Sequence, residues 1–304
     1  SADERYRAAL LSRLLLSENV KSEEEKARLS FIVDDSGTPI DLSLKGARIL
    51  PHTFFAAGIF LALVDSDHII ALPKGIRQQT QLYSLEETAL VEADVDGGTR
   101  EEMVMMRPDI AVAAQHYSNP ATIEAFRQMG IPLYLHRNIS TIDDVHCTTE
   151  KCGHLVGRPL KAELMVLFMK AALNAIDNSF LEYSRPPSPP LIVSYHTRFS
   201  LPGKKMLTYE YQQRLGFCPI KNSVENFDWE IPITEEEIIA ARPEKLIIIA
   251  PNIPHLKEQL IARPAIQQLI HNHGCRLYFL DEEVQKTVSQ YYVLAYYDLI
   301  HSIY

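Results

Sequence analysis

The chain has no surplus of positive charge. With 30 Lys and Arg against 39 Asp and Glu, and a formal net charge of -9, it lacks the clustered cations that replace counterions along a phosphate backbone, which excludes a broad nucleic-acid surface. A long apolar run is missing too. The most hydrophobic helical stretch, AELMVLFMKAALNAI, is interrupted by Glu163 and Lys170 and falls short of the ~20 residues that span a bilayer. The opening, SADERYRAAL, has neither an initiator Met nor a signal-peptide hydrophobic region, so an export signal is expected to have been removed or never to have existed. Cysteine is scarce. Four residues form an even set that permits disulfides in an exported chain without requiring them. Cys147 and Cys152 in HCTTEKCGH do not fit zinc-finger spacing. Cys218 in LGFCPI and Cys275 in HGCRLY each precede an expected short strand, and a bridge between them needs Cα atoms within ~7 Å. Nor is there a compositional bias. Hydrophobic residues make up 46% and charged residues 23%, which describes an ordinary folded chain, and 304 residues suffice for one large α/β domain or for two lobes.

What is present is internal repetition. EEMVMMRPDIAVAA, from Glu101, and EEIIAARPEKLIII, from Glu236, both read as two acids, a short apolar helix, Arg-Pro, one acid and a buried strand. RILPHTFF and IVSYHTRF both end an apolar strand in His-Thr-x-Phe, at His52 and His196. GIPLYLH and GCRLYFL both start a strand with Gly. Arg-Pro after a helix and Gly before a strand are common punctuation, but the three pairs recur in the same order. The expected fold is therefore α/β, with two lobes of similar plan, each a small, mostly parallel sheet flanked by helices.

Between the lobes, GRPLKAELMVLFMKAALNAIDNSFLEYSR has Pro159 near a helix start and apolar residues at Leu164, Leu167, Phe168, Ala171 and Ala175, spaced as on one long helix. RPPSPP then stops it. Ahead of the first lobe, ADERYRAALLSRLLL carries a helical stripe, and LSFIVDDSGTPIDLSL reads as a hairpin turning at Asp35, Ser36 and Gly37. The expected divisions are a helix and hairpin over residues 1–46, a first lobe over 47–156, a joining helix over 157–185 and a second lobe over 186–304.

The order of elements, from SFIVDDSGTPIDLSLKGARILPHTFFAAG through REEMVMMRPDIAVAAQHYSNP, TIDDVHCTTEKCGHLVGRPLKAE and ITEEEIIAARPEKLIIIA, resembles the helical-backbone (class III) substrate-binding proteins of ABC importers. The likeness covers nearly the whole chain from about Phe31. It implies two lobes joined by a backbone helix, a ligand held between them, no chemistry performed on it and no cofactor required. It further implies an exported protein, periplasmic or cell-surface anchored, monomeric, and partnered by a membrane permease.

Ligands in such folds sit outside the carboxyl ends of strands, which here supply His52, Thr53, Phe54, Gln115, His116, Tyr117, Tyr195, His196, Arg198, Asn252 and His255. Trp229 is a further aromatic wall or a core residue. The family's cargoes are iron chelates, heme, cobalamin and, in one branch, bare transition metals. His52, His116 and His196 with Asp281 or Glu282 match the bare-metal branch and suit Zn²⁺, Mn²⁺ or Fe²⁺. Tyr117, His116 and Arg198 would suit heme, and Phe54, Phe55, Tyr117 and Trp229 a corrinoid or siderophore. The ligand is expected to contain a metal, whichever of these it is. In proteins of this kind a surface glutamate on each lobe meets permease arginines, and residue-by-residue matching gives that role to Glu101 and Glu236. A chelatase-like tetrapyrrole enzyme of similar plan is the alternative, with His116 and Glu282 forced into its acid–base roles.

Overall fold

The computed structural model describes residues 31–41, 47–95, 105–115, 118–180, 188–217 and 227–304. The expected N-terminal helix, Glu101, His116, Tyr117 and Cys218 lie outside the described residues. In chain order the first elements are β1 (Phe31–Val33), β2 (Pro39–Asp41), β3 (Ile49–Pro51), α1 (Phe54–Leu63), β4 (Leu72–Pro73), α2 (Leu85–Ala89), β5 (Asp94–Val95), β6 (Ile110–Ala114), α3 (Pro120–Gln128) and β7 (Leu133–His136). There follow α4 (Ile142–Leu155), α5 (Pro159–Phe180), β8 (Leu191–Tyr195), β9 (Phe199–Leu201), α6 (Leu207–Arg214), β10 (Ile231–Pro232) and α7 (Glu235–Ala241). The last are β11 (Lys245–Ala250), α8 (Ile253–Ile261), α9 (Pro264–His273), β12 (Arg276–Asp281), α10 (Glu282–Gln285) and α11 (Tyr292–Ile303).

The chain divides into two compact units. One takes in residues 1–73, 91–137 and 148–166, the other 74–90, 138–147 and 167–304. Residues 74–90 were expected with the first lobe and group with the second, where Glu283 Oε1 accepts from the amides of Gln81, at 2.8 Å, and Leu82, at 3.3 Å. Tyr83 adds to this tie, its ring 5.5 Å from that of Tyr291 and its hydroxyl 3.4 Å from Ser289 Oγ.

The first unit is built on the parallel sheet β3-β6-β7. β6 is buried at every position, as a strand covered on both faces must be. Phe126 and Ile123 of α3 pack with Leu50, Ala111, Ala113, Leu133 and Leu135 as its core. The expected hairpin is present as β1 and β2, paired antiparallel. Asp34 closes its turn, Oδ1 accepting from the amides of Ser36 and Thr38 while Oδ2 accepts from Leu135 N on β7.

Asp35 fastens the hairpin from the other side. Its carboxylate, with 3% of the side chain exposed, accepts from Lys151 Nζ at 2.5 Å and from Arg137 N at 2.7 Å. Burial would raise its pKa, but the Lys151 ammonium and the Arg137 donors outweigh burial and hold the carboxyl below its usual range. Asp35→Asn is expected to cost about 2 kcal/mol, as for a lost charge-assisted pair. Because the folded pKa is depressed, that stability is present above pH ~3.9 and disappears as pH falls through the folded value. Urea melts of the two proteins should therefore differ at pH 7 and converge in stronger acid.

The second unit carries the sheet β10-β9-β8-β11-β12. β8, β11 and β12 run parallel, and β9 and β10 extend the sheet antiparallel. Leu246, Ile248 and Ala250 of β11 form the centre of a core with Leu191, Val193, Ile238, Leu260 and Leu269. The repetition read in the sequence is repeated in geometry. Three parallel strands stand in the same spatial order in each unit, β3-β6-β7 and β8-β11-β12. The Arg-Pro arginines share φ 46, at Arg107 and Arg242. The glycines that open β7 and β12 have φ 66 and φ 64, at Gly130 and Gly274, a left-handed conformation that glycine adopts without strain.

The expected long helix is α5, 22 residues from Pro159, a rise of ~33 Å. It meets α4 across a tight bend at Val156, Gly157 and Arg158. A Cβ placed on Gly153 would stand 2.2 Å from Ala162 Cβ and 3.1 Å from Arg158 O, so the α4 backbone at Gly153 rests directly against the Ala162 methyl of α5. Cys147, Cys152 and Cys275 are free thiols, so no Cys147–Cys152 bridge forms. Burial pushes the Cys152 thiol up to about 12 and Cys275 up to about 11.

Candidate functional site

Each unit presents the carboxyl edge of its parallel strands, and several of the expected ligand residues fall there. In the first unit β3 runs out into His52 and Thr53, β6 into Gln115 and β7 into His136. Thr53 caps α1, its Oγ1 accepting from Ala56 N at 3.1 Å. The same Oγ1 is 3.0 Å from His136 Nε2. His136 Nδ1 lies 2.7 Å from Arg137 O. A carbonyl oxygen only accepts, so Nδ1 carries the proton and Nε2 receives the Thr53 hydroxyl hydrogen. At 2% exposure the ring is held neutral, burial lowering its pKa against the pull of Arg137 O and Asp35. Phe54 is 40% exposed at the head of α1. His52 sits edge-on to Phe126, ring centroids 6.2 Å apart. Gln115 donates from N to His136 O at 2.9 Å and from Nε2 to Asp35 O at 3.4 Å.

In the second unit the edge is a charged cluster. His196, just past β8, places Nε2 2.7 Å from Glu282 Oε1 at the start of α10. Lys286 Nζ lies 2.7 Å from Glu282 Oε1, 2.7 Å from Glu230 Oε1 and 3.1 Å from His196 Nε2. Ser200 Oγ donates to the other oxygen of Glu230 at 3.0 Å. Burial opposes both charges, yet the pairing wins: Lys286 is raised above the ordinary lysine value and Glu230 lowered below the usual carboxylate. Glu230 is carried by a segment whose backbone rests on Gly203, where a Cβ would meet Trp229 O at 1.9 Å.

Not every expected residue serves this edge. Tyr195 belongs to the core: it is 4% exposed, stacks on Phe199 at 4.7 Å and accepts from Arg263, whose guanidinium also pairs with Glu235. Asp281, expected as a metal ligand, is a helix cap, its Oδ1 accepting from Glu283 N at 2.8 Å. Its position at a strand end immediately before Glu-Glu favours that use. Arg198, Asn252 and His255 are exposed, His255 within 3.0 Å of Gln259. Trp229 is 40% exposed. Of the expected metal set, His52 stands in one unit and His196 and Asp281 in the other. Among the described residues, three potential metal donors converge at Asp65, Asp67 and His68, in an exposed turn after α1. Lys286 and Glu230 are absent from the expected set. Lys286 is legible as the i+4 partner of Glu282; Glu230 has no local signal, since its partner is 56 residues away.

No established family description matches the chain, and no curated protein does. Solved structures do. The fold is that of solved periplasmic binding proteins. A periplasmic heme-binding protein from Roseiflexus sp. RS-1, RhuT in apo form, superposes with TM-score 0.66 and 18% identity over 84% of this chain and 97% of its own. A possible iron-binding solute-binding protein from Staphylococcus epidermidis gives TM-score 0.68 and 16% identity over 86% and 100%. The heme-binding protein BhuT, in complex with two hemes, gives 0.70 and 15% over 84% and 97%. Among the described residues no helix is long and apolar enough to cross a membrane.

Proposed function

We propose that this chain is the solute-binding component of an ABC importer, an exported, monomeric protein that captures a metal-containing ligand at the strand edges of its two units and delivers it to a membrane permease without chemical change. The observation that carries the reading is the end-to-end match to heme- and iron-binding periplasmic proteins, 97–100% of the length of three of them. The repeated sheet order supports it, because two equivalent carboxyl edges are what a ligand-capturing fold of this plan uses. The test is to purify the protein without chelator, record its metal content and absorption spectrum, and titrate it with hemin, a ferric siderophore and cobalamin. Saturable binding of one of these is expected, with no porphyrin metallation when Fe²⁺ or Co²⁺ is supplied. Binding of none of them, or turnover, defeats the reading.

Permease docking is assigned to Glu101 and Glu236. Around Glu236 the neighbouring acids are occupied: Glu235 pairs with Arg263 at 2.6 Å and Glu237 forms the capping box with Thr234. Glu236 itself is exposed on the first turn of α7, available to a partner's arginine. Glu101→Ala with Glu236→Ala is expected to cut transport roughly several-fold through slower, misregistered docking while ligand affinity stays unchanged. Transport equal to the unaltered protein would remove the assignment.

A further inference from the structure

The hairpin of β1 and β2 closes only part of an open sheet edge in the first unit. In a parallel ladder each residue turns its amide and carbonyl to one side, and the next residue turns them to the other. Ala111 N donates to Pro132 O and Ala111 stands opposite Leu133, so Pro132 and Tyr134 face β6 while Leu133 and Leu135 face outward. The hairpin satisfies Leu135, whose N–H donates to Asp34 Oδ2 at 3.1 Å and whose O accepts from Asp35 N at 3.0 Å. Leu133 has no such partner. Among the described residues nothing bonds to its outward amide or carbonyl, although the residue is only 7% exposed, and backbone groups in buried places are seldom left so. Between β2 and the amino half of β7 lies a cavity of about 480 Å³, lined among others by Ile40, Asp41, Arg127, Ile131, Leu133 and Leu135.

We propose that this cavity is a binding site for a short extended peptide ending in a free carboxylate, seated as an added strand on β7 at Leu133. A strand edge with an open donor and acceptor is a template for such pairing, and the cavity has the size of small-ligand pockets. At a rise of ~3.4 Å per residue the open stretch from Gly130 to Leu133 matches roughly three or four peptide residues. Ile40, Ile131 and Leu135 offer an apolar wall to alternate side chains. Two charges border the mouth. Asp41 already has a partner, whereas among the described residues no carboxylate pairs with Arg127, exposed in the last turn of α3. The open charge is therefore the cation, and a guanidinium binds a carboxylate by charge-assisted hydrogen bonds. Arg127 precedes β7 and borders its amino end, where the carboxyl terminus of an antiparallel added strand falls. The other end is shut by the bonds of Asp34 and Asp35 to Leu135. The site lies on the first unit alone, apart from the carboxyl edges assigned to the cargo, and it holds whether or not the importer reading does.

The experiment uses the whole chain and three probes: acetyl-Thr-Val-Thr-Val with a free carboxylate, the same peptide as its C-terminal amide, and octanoate. Calorimetry reads binding, and hydrogen exchange is followed at individual amides. The free acid is expected to bind saturably and to slow exchange of the Leu133 amide. Its amide form should bind roughly tenfold more weakly, and Arg127→Gln should remove that difference. Ile131→Trp, which fills the cavity, should abolish binding. Thermal melts establish that this variant is folded, and Arg127→Gln, an exposed change, carries the test if it is not. A Leu133 amide that exchanges equally fast with and without the peptide acid overturns the proposal. So does octanoate binding as tightly as the peptide, which would make the cavity an apolar anion pocket. Self-association that protects Leu133 with no peptide present would likewise overturn it, giving the edge to a second copy of the chain.

Discussion

Gly203→Ala is expected to lower stability by about 3 kcal/mol, the upper part of the usual range for overpacking, and to dismantle the charged edge of the second unit. The added Cβ would stand 1.9 Å from Trp229 O, 2.5 Å from its carbonyl carbon and 2.7 Å from its amide nitrogen. These are backbone atoms, so no rotamer change relieves the contact. The segment that carries them has to move. Yet the Trp229 segment is bonded in place, with Lys204 N donating to Phe227 O at 3.1 Å, Lys205 N to Asp228 O at 2.8 Å, and Ile231 paired with Leu201 in the sheet. Its displacement takes Glu230 away from Lys286 and Ser200. Denaturant melting measures the first effect, and the titration of whichever chelate the protein binds measures the second. A variant within about 0.5 kcal/mol of the parent, the scatter of ordinary surface changes, would show that the segment yields freely.

The second large effect is a dependence on pH. His146, on α4, is 6% exposed and places Nε2 2.9 Å from the hydroxyl of Tyr292 on α11. Burial, reinforced by Lys170 and opposed by Asp143, lowers its pKa to about 4. An unfolded imidazole titrates near pH ~6.5. Between those values the unfolded chain takes up a proton that the folded chain refuses. Stability is therefore complete above pH ~6.5 and falls on acidification, with about 3 kcal/mol lost by pH ~4, where the native ring itself starts to charge. Glu210 and Glu283, whose pKa values burial raises, act with the opposite sign. The quantity to measure is thus the difference between the parent and His146→Gln, which keeps a polar group near Tyr292 and has nothing to titrate. The parent should lose the larger share between pH 7 and pH 4, and parallel curves would rule out His146 as the cause.

Those two sites show what the sequence could and could not disclose. The parallel strands were legible because apolar runs such as Lys245–Ala250 and Ile110–Ala114 are buried throughout and bounded by Pro and by turn residues. The repetition was legible because Arg-Pro and strand-opening Gly demand the same backbone in each copy. The short strands β9 and β10, three residues and two, carry no periodicity to detect, and they are what positions Glu230. The two His-Thr pairs look equivalent in the sequence, but the first caps a helix at Thr53 while the second lies in the turn of the β8–β9 hairpin, a divergence decided by the residues C-terminal to each pair. His136 was visible as the end of LYLH. Its neutrality depends on Thr53, 83 residues earlier in the chain, and pairings across such distances leave no mark on spacing. Asp281 misleads for a related reason: a carboxylate at a strand tip looks alike whether it caps a helix or holds a metal.

The contact between Gly153 and Ala162 also has a meaning for sequence drift. The two positions share a single methyl group's worth of room, so neither can vary alone: Gly153→Ala by itself collides, whereas Gly153→Ala together with Ala162→Gly only moves the methyl from one helix to the other. Each arrangement places one glycine in a helix, at a propensity penalty of ~1 kcal/mol relative to alanine, so the exchange adds only the tight 3.1 Å contact of the new Cβ with Arg158 O, whereas Gly153→Ala alone also meets the Ala162 methyl. Positions 153 and 162 therefore behave as one inherited site spread over two helices.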